Sequence, residues 1–136
     1  MSVTDADTID AVADRLFDAI ERSDKAAVAD LWAADVTVWH AGDTRDNERA
    51  RALRVIDWFI DATSERRYQV LERHVFDGGF VQQHILHATG GNGASISLRV
   101  CIVIKVGADG LITRVDEYYD PKDIAPLLAK PDVEAS

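Results

Sequence analysis

The spacing of apolar and polar positions changes part-way along the chain. In the first half, apolar side chains recur every three or four residues, as on the buried face of an amphipathic helix, at Ile9, Val12, Leu16, Phe17 and Ile20. Thr8 can cap the start of this helix, and residues 23–24 separate it from a short second helix. A strand at 36–39 ends on His40, and a third helix is predicted from the apolar positions between 50 and 60.

The second half alternates apolar and polar residues, which is the period of a half-buried strand. It predicts four strands, at 68–76, 80–89, 95–106 and 111–119. Short glycine-rich segments separate them, so each connection is predicted to be a hairpin turn and the four strands an antiparallel meander. Helices followed by strands indicate an α+β fold with the helices on one face of the sheet.

Composition is typical of one folded domain. The 136 residues are 47% apolar, which suffices for a single core, expected at about 8–128 with frayed ends at 1–7 and 131–136. Asp and Glu number 24 against 15 Lys and Arg, and the net charge of -9 repels phosphate backbones and anionic lipids. We therefore expect no nucleic-acid and no membrane partner. A single cysteine, Cys101, and the lack of an apolar leader predict a cytoplasmic protein.

Two segments, LWAADVTVWH at 31–40 and DGLITRVDEYYD at 109–120, resemble the nuclear transport factor two-like superfamily, also called SnoaL-like. Its members include ketosteroid isomerases, scytalone dehydratase, limonene epoxide hydrolases and polyketide cyclases. The resemblance covers about 8–128 and treats 1–136 as a single SnoaL-like domain. It implies an α+β, cone-shaped barrel in which N-terminal helices pack on a strongly curved antiparallel mixed sheet that encloses a pocket.

The resemblance also nominates site residues. His40 stands where ketosteroid isomerases carry a general-base aspartate and limonene epoxide hydrolases a water-holding asparagine. The strand FVQQHILH at 80–87 matches the hydrolase strand with an arginine and, two residues later, an aspartate; here those positions hold Ile85 and His87. The second hydrolase aspartate corresponds to Glu117. The Asp-Arg-Asp triad of the hydrolases is therefore absent from this chain.

His40 and His87 are accordingly the predicted proton carriers, with Glu117 orienting one of them. The alternatives are structural: a half-exposed His40, and a salt bridge between Glu117 and Arg99. The predicted substrate contacts, taken from strand faces and from the resemblance, are Arg99, Gln83, Tyr119, Cys101, Val38, Val115 and Trp58. His74 and His84 are expected at the surface or in a dimer face. The sequence contains no HExxH, cysteine-rich or P-loop motif, so no metal and no cofactor are expected.

Strand 95–106 has apolar residues on both faces, which indicates that both faces are covered. Its even-numbered apolar positions are assigned to the outer face, and a second subunit is the simplest cover, so a homodimer is predicted. The predicted function is a cofactor-independent acid–base enzyme of dehydratase, isomerase or cyclase type. Its substrate would be a small apolar oxygenated molecule. The alternatives are a hydrophobic-ligand-binding or dimeric scaffold domain without catalysis, and an epoxide hydrolase-like enzyme with a substituted triad.

Overall fold

Three helices and a six-stranded sheet make up the fold in the computed structural model, which describes residues 5–128. The helices are α1 (Ala6–Glu21), α2 (Lys25–Leu31) and α3 (Arg49–Ala62). The strands are β1 (Trp32–His40), β2 (Asn47–Glu48), β3 (Thr63–Phe76), β4 (Gly79–Gly90), β5 (Ser95–Val106) and β6 (Ile112–Tyr118). Two short 3₁₀ turns follow, at Pro121–Asp123 and Ala125–Leu128.

The sheet has the strand order β2-β1-β6-β5-β4-β3. The strands β3 to β6 pair antiparallel with their neighbours in the chain, which confirms the predicted meander. β1 then pairs parallel with β6, so the first and last strands lie side by side. The predicted α+β class and cone-like curved sheet are confirmed. Within the described residues, none of the helices is long and apolar enough to cross a bilayer.

The start of α1 differs from the sequence prediction. The Asp5 side chain accepts a hydrogen bond from the Thr8 amide at 2.8 Å, so Asp5 is the cap and Thr8 lies inside the helix. Residues 5–7 thus belong to ordered structure, whereas 1–4 and 131–136 lie outside the described part of the chain. The cap of α2 is Asp24, as the prediction at 23–24 allows.

The core lies between the helices and the inner face of β4 and β5. The even-numbered residues of β5 face this core and are almost fully buried: Ile96, Leu98, Val100, Ile102 and Ile104. Their assignment to the outer face was therefore wrong. The strand alternates buried with exposed positions, and its outer face carries Ser97, Arg99 and Lys105 among smaller apolar groups. The homodimer prediction, which rested on these residues facing outward, therefore loses its basis.

Arg66 holds the ends of two helices that wall the interior. It is 6% exposed, and its guanidinium donates to the carbonyl oxygens of Ile20 at 2.8 Å, Ile60 at 3.2 Å and Thr63 at 3.0 Å. The last carbonyls of a helix have no partner within the helix, so a buried cation that accepts this role stabilises both C-termini. Arg66 thereby fixes α1 and α3 relative to β3.

Candidate active site

A tight turn fixes the position of His40 at the end of β1. The Asp43 amide donates to the His40 carbonyl oxygen at 2.9 Å, and Gly42 adopts φ +95°, a conformation that a side chain would strain. This turn reverses the chain, so that the Asp43 carboxylate lies beside His40. The Ala41 amide donates to the Glu117 carbonyl at 2.9 Å, which also ties the end of β1 to β6.

Asp43 holds the His40 imidazole from one side. Its Oδ2 atom accepts hydrogen bonds from the His40 amide at 2.9 Å and from Asn47 Nδ2 at 2.8 Å, and it lies 3.3 Å from His40 Nδ1. Asn47 is itself anchored by a bond to the Val38 carbonyl at 3.0 Å. Burial favours the neutral acid, but these hydrogen bonds outweigh it and lower the pKa of Asp43. An ionised Asp43 accepts a hydrogen bond from Nδ1–H and so leaves the Nε2 lone pair of a neutral His40 free.

Glu117 lies on the other side of the imidazole. It is the register partner of His40 in the parallel pairing of β1 with β6, and its Oε1 atom is 3.9 Å from His40 Nε2. The side chains of His40 and Glu117 are only 19% and 25% exposed. Burial raises the pKa of Glu117, and the nearby His40 opposes that rise only in part. Two carboxyl groups with oppositely shifted pKa values therefore flank one imidazole.

His40 and Glu117 face a cavity of about 110 Å³. Its wall is mainly apolar and is built by α1, α3 and the inner face of the sheet, through Leu16, Phe17, Ile20, Ile56, Phe59, Leu98 and Ile102. Two phenols join the lining, Tyr68 and Tyr119, and burial raises the pKa of Tyr119 to about 12. Both phenols are therefore protonated at neutral pH and can donate hydrogen bonds. The most exposed lining side chains are Val55 and Trp58, which places the mouth of the cavity at α3.

This arrangement can be compared with known proteins. The SnoaL-like domain family matches residues 13–115, which is most of the chain. The chain belongs to the SnoaL-like family. No curated protein matches this chain in sequence.

Solved structures of SnoaL-like and related proteins share the fold at low identity. The Δ5-3-ketosteroid isomerase from Mycobacterium sp. is 18% identical with a TM-score of 0.75, covering 85% of this chain and 95% of that one. A SnoaL-like polyketide cyclase, so named provisionally, from Shewanella denitrificans is 11% identical with a TM-score of 0.75, covering 88% and 95%. SalBIII, an epoxide hydrolase/cyclase-like enzyme of pyran ring formation in salinomycin, is 13% identical with a TM-score of 0.78, covering 88% and 96%. At these identities the likeness establishes the fold of the SnoaL-like chain.

Six of the residues nominated from the sequence lie together at the cavity: His40, Glu117, Tyr119, Val38, Val115 and Trp58. Val38 and Val115 are register partners in β1 and β6, so they form part of its floor. The roles given to these six residues remain predictions. Among residues 5–128, no group of three or more His, Cys, Asp or Glu side chains is arranged to hold a metal ion.

The other four nominated residues, His87, Gln83, Arg99 and Cys101, lie on the opposite face of the sheet. His87 pairs with Ser97 across the strands, and its ring nitrogens lie 3.1 Å from Ser97 Oγ and 2.8 Å from Gln69 Oε1. Arg99 and Cys101 point the same way, so the predicted Glu117–Arg99 salt bridge does not form either. The placement of His87 and Gln83 in the pocket was wrong because both faces of 80–89 carry polar residues, and the resemblance selected the wrong one. Arg99 and Cys101 were misplaced because the two faces of 95–106 were assigned the wrong way round.

The inner face of β4 instead carries Gln82 and His84, both 0% exposed. The expectation of a surface His84 was wrong for the same reason of strand parity. Asp43 and Asn47 were also missed, although an aspartate three residues after a strand-end histidine, with a glycine between them, signals a turn that returns a carboxylate to the imidazole. Tyr68 gave no such signal, because only the curvature of the sheet brings it to the cavity.

Proposed function

We propose that this SnoaL-like protein is a cofactor-independent acid–base enzyme of dehydratase, isomerase or cyclase type. The observation that carries the proposal is the arrangement of His40 Nε2 opposite Glu117 Oε1 at 3.9 Å, on the wall of a mainly apolar cavity. In apolar surroundings a misplaced charge is costly, so a histidine between two carboxyl groups in this position is unusual for a purely structural role.

The proposal gives each group a role. His40, whose Nδ1–H is held by Asp43, presents Nε2 as the base that removes a proton from substrate carbon. Glu117, whose protonated form burial favours, donates in that form a hydrogen bond to the substrate oxygen on which negative charge develops, and it keeps its own proton. The imidazolium then returns its proton to another carbon, which completes an isomerisation, or to a departing hydroxyl group, which completes a dehydration. Asp43 stabilises the imidazolium and acts as a positioning residue.

The size of the cavity supports a small substrate body. Its volume of about 110 Å³ is of the order of an apolar protein cavity that holds benzene, about 150 Å³. One small ring with a carbonyl or hydroxyl oxygen therefore fits beside His40 and Glu117, with Tyr68 and Tyr119 as further donors to that oxygen. A larger ligand would extend past Trp58 into solvent.

The experiment combines binding with proton exchange. Small cyclic ketones, alcohols and enones are first screened for stabilisation by thermal shift. The compounds that bind are then incubated with the protein in D₂O, and deuterium incorporation at carbon is followed by NMR. We expect protein-dependent deuterium exchange into at least one compound. In His40→Asn the exchange rate should fall about 10²-fold or more, while the dissociation constant of the compound changes little.

His87→Asn is the matched control, because it removes an imidazole on the far face of the sheet and should leave the exchange rate unchanged. Exchange that persists in His40→Asn would contradict the proposal. Stabilising compounds with no exchange above the protein-free rate would instead favour the alternative of a ligand-binding domain without catalysis.

We also propose that two copies of the chain form a homodimer through the sheet face away from the helices, because that face carries half-buried apolar side chains. Val81, Ile85, Cys101 and Val103 lie on that face, are only half-buried, and adjoin one another through the β4–β5 register. Tyr118 next to them is 50% exposed, and its ring packs at a tilt against Trp39, with ring centroids 5.1 Å apart. Light scattering should give twice the chain mass, and Val103→Arg should halve it; a wild-type monomer would refute the dimer.

A further inference from the structure

A groove on the surface of α3 continues from the mouth of the cavity. Arg51, Arg54, Val55 and Trp58 lie at helical spacing i, i+3, i+4 and i+7, so they form one stripe along the helix. They line a groove of about 260 Å³, and Val55 and Trp58 also line the cavity. Both apolar side chains are well exposed, at 38% and 41%. We call these four residues the mouth stripe.

The two arginines of the mouth stripe make no ion pair or side-chain hydrogen bond within residues 5–128. Other cations nearby do: Arg49 donates to the Ala29 carbonyl at 2.8 Å, and Lys25 pairs with Asp61 at 2.8 Å. Both guanidinium groups of the mouth stripe are exposed and so can reach an anion at the mouth of the cavity. Asp57 follows Arg54 by three residues but makes no ion pair with it; after Asp61, it helps to raise the pKa of Lys25.

Arg51 also does not serve the stability of α3. It lies in the first turn, where the helix dipole favours acidic side chains, and that turn contains none. A local arrangement that lowers stability without a compensating contact is typical of a functional position. The contact that would compensate for it is an anion at the mouth of the cavity.

We propose that Arg51 and Arg54 bind an oxyanion head group, carboxylate or phosphate, of the ligand whose apolar body occupies the cavity. Guanidinium groups pair with planar or tetrahedral oxyanions through two hydrogen bonds and remain charged at all relevant pH values. Val55 and Trp58 would contact the chain that joins the head group to the buried ring. The ligand is thus an amphipathic anion, which narrows the substrate class and rests on the cavity assignment under the proposed function.

Four probes that share one apolar body test this: 4-phenylbutanoate, 4-phenylbutyl phosphate, 4-phenylbutan-1-ol and 4-phenylbutylamine. Calorimetry at neutral pH should show at least one anion binding about five- to tenfold more tightly than the alcohol, and the amine more weakly than the alcohol. The preference should shrink between about 20 mM and about 500 mM NaCl, because exposed charges are screened. The better of the two anions identifies the kind of head group.

The variant Arg51→Gln/Arg54→Gln should abolish the preference for anions without weakening the binding of the alcohol. Arg15→Gln/Arg67→Gln removes the same two charges from exposed positions away from the stripe and should keep the preference. Equal binding of acid and alcohol, or a preference that survives in the mouth-stripe variant, would overturn this inference while leaving the acid–base proposal standing. Binding of none of the probes would overturn it as well. Conversely, a preserved anion preference with no effect of His40→Asn on exchange would leave the head-group site standing and refute the catalytic role.

Discussion

The buried histidine behind the cavity should make the protein sensitive to acid. His84 is 0% exposed, and its ring packs against Phe17 at 5.4 Å and Tyr68 at 5.0 Å, two residues that line the cavity. Burial and the nearby Arg73 lower its pKa from 6.5 to about 4. His84 is therefore neutral in the folded state at neutral pH.

Hydrogen bonds explain why the charged form is so unfavourable. Arg73 Nε donates to Gln82 Oε1 at 2.8 Å, which leaves Gln82 Nε2 to donate to His84 Nδ1, also at 2.8 Å. The imidazole proton must then reside on Nε2, which has no hydrogen-bond partner within the described residues. A second proton would place two N–H groups against each other, since Gln82 cannot reverse its amide without losing the bond from Arg73.

The sign and the size follow from linkage. In the unfolded chain His84 takes up a proton near pH 6.5, whereas in the folded protein it does so only near pH 4. Its contribution to stability is complete above pH 6.5 and is lost as the pH falls to about 4. At about 1.4 kcal/mol per pKa unit, the loss over this range is about 3 kcal/mol.

Urea unfolding from pH 7 to pH 4, followed by tryptophan fluorescence, measures this loss. The difference in unfolding free energy between wild type and His84→Gln should change by about 3 kcal/mol over that range, because the variant cannot titrate at this position. His74→Gln, which removes a solvent-exposed imidazole, controls for the loss of a histidine as such. Parallel pH curves for wild type and His84→Gln would refute the reasoning.

Three further variants test the site and its support. Asp43→Asn should lower the exchange rate about 10²-fold with little change in ligand affinity, since an amide cannot hold the His40 tautomer as a carboxylate does; equal rates would contradict the positioning role. The difference in unfolding free energy between Glu117→Gln and wild type should be constant below pH 4.5. Above that pH it should shift in favour of Glu117→Gln as the pH rises through the raised pKa of Glu117, by about 1.4 kcal/mol per unit by which that pKa is raised. Urea titrations at several pH values measure this shift. Arg66→Met should lower the free energy of unfolding by about 3 kcal/mol, because it removes the hydrogen bonds that a buried guanidinium donates to helix-end carbonyls, and a loss below about 1 kcal/mol would speak against the clamp.

The sequence was sufficient for the fold because local and long-range signals agreed. Glycine-rich turns of fixed length joined strands of clear alternation, so the meander had little freedom in order or direction. The face of each strand was harder to predict. β4 carries Gln82 and His84 inward and Gln83 and His87 outward, so hydrophobicity could not separate the two faces.

The site residues that the sequence located lie near the ends of strands, whereas Tyr68 reaches the site only through the way the sheet folds. His40 and Glu117 could be nominated because the resemblance fixed their places near the ends of β1 and β6, whose parallel pairing makes them neighbours. Tyr68 comes from a strand three places away from β6 in the sheet, and it reaches the cavity through curvature that no local pattern encodes. Asp43, by contrast, has a local signal, the glycine-containing turn that follows His40.

The surroundings of the two carboxyl groups beside His40 shift their pKa values in opposite directions. Hydrogen bonds from an amide and from Asn47 lower the pKa of Asp43 and keep it ionised, whereas burial raises the pKa of Glu117 and favours its protonated form. Pairs of titratable groups whose surroundings separate their pKa values are how one site supplies a donor and an acceptor at the same pH. Because one carboxylate holds Nδ1–H and the other faces Nε2, the proposed mechanism lets His40 remove and return a proton while Glu117 stabilises the charge on the substrate oxygen.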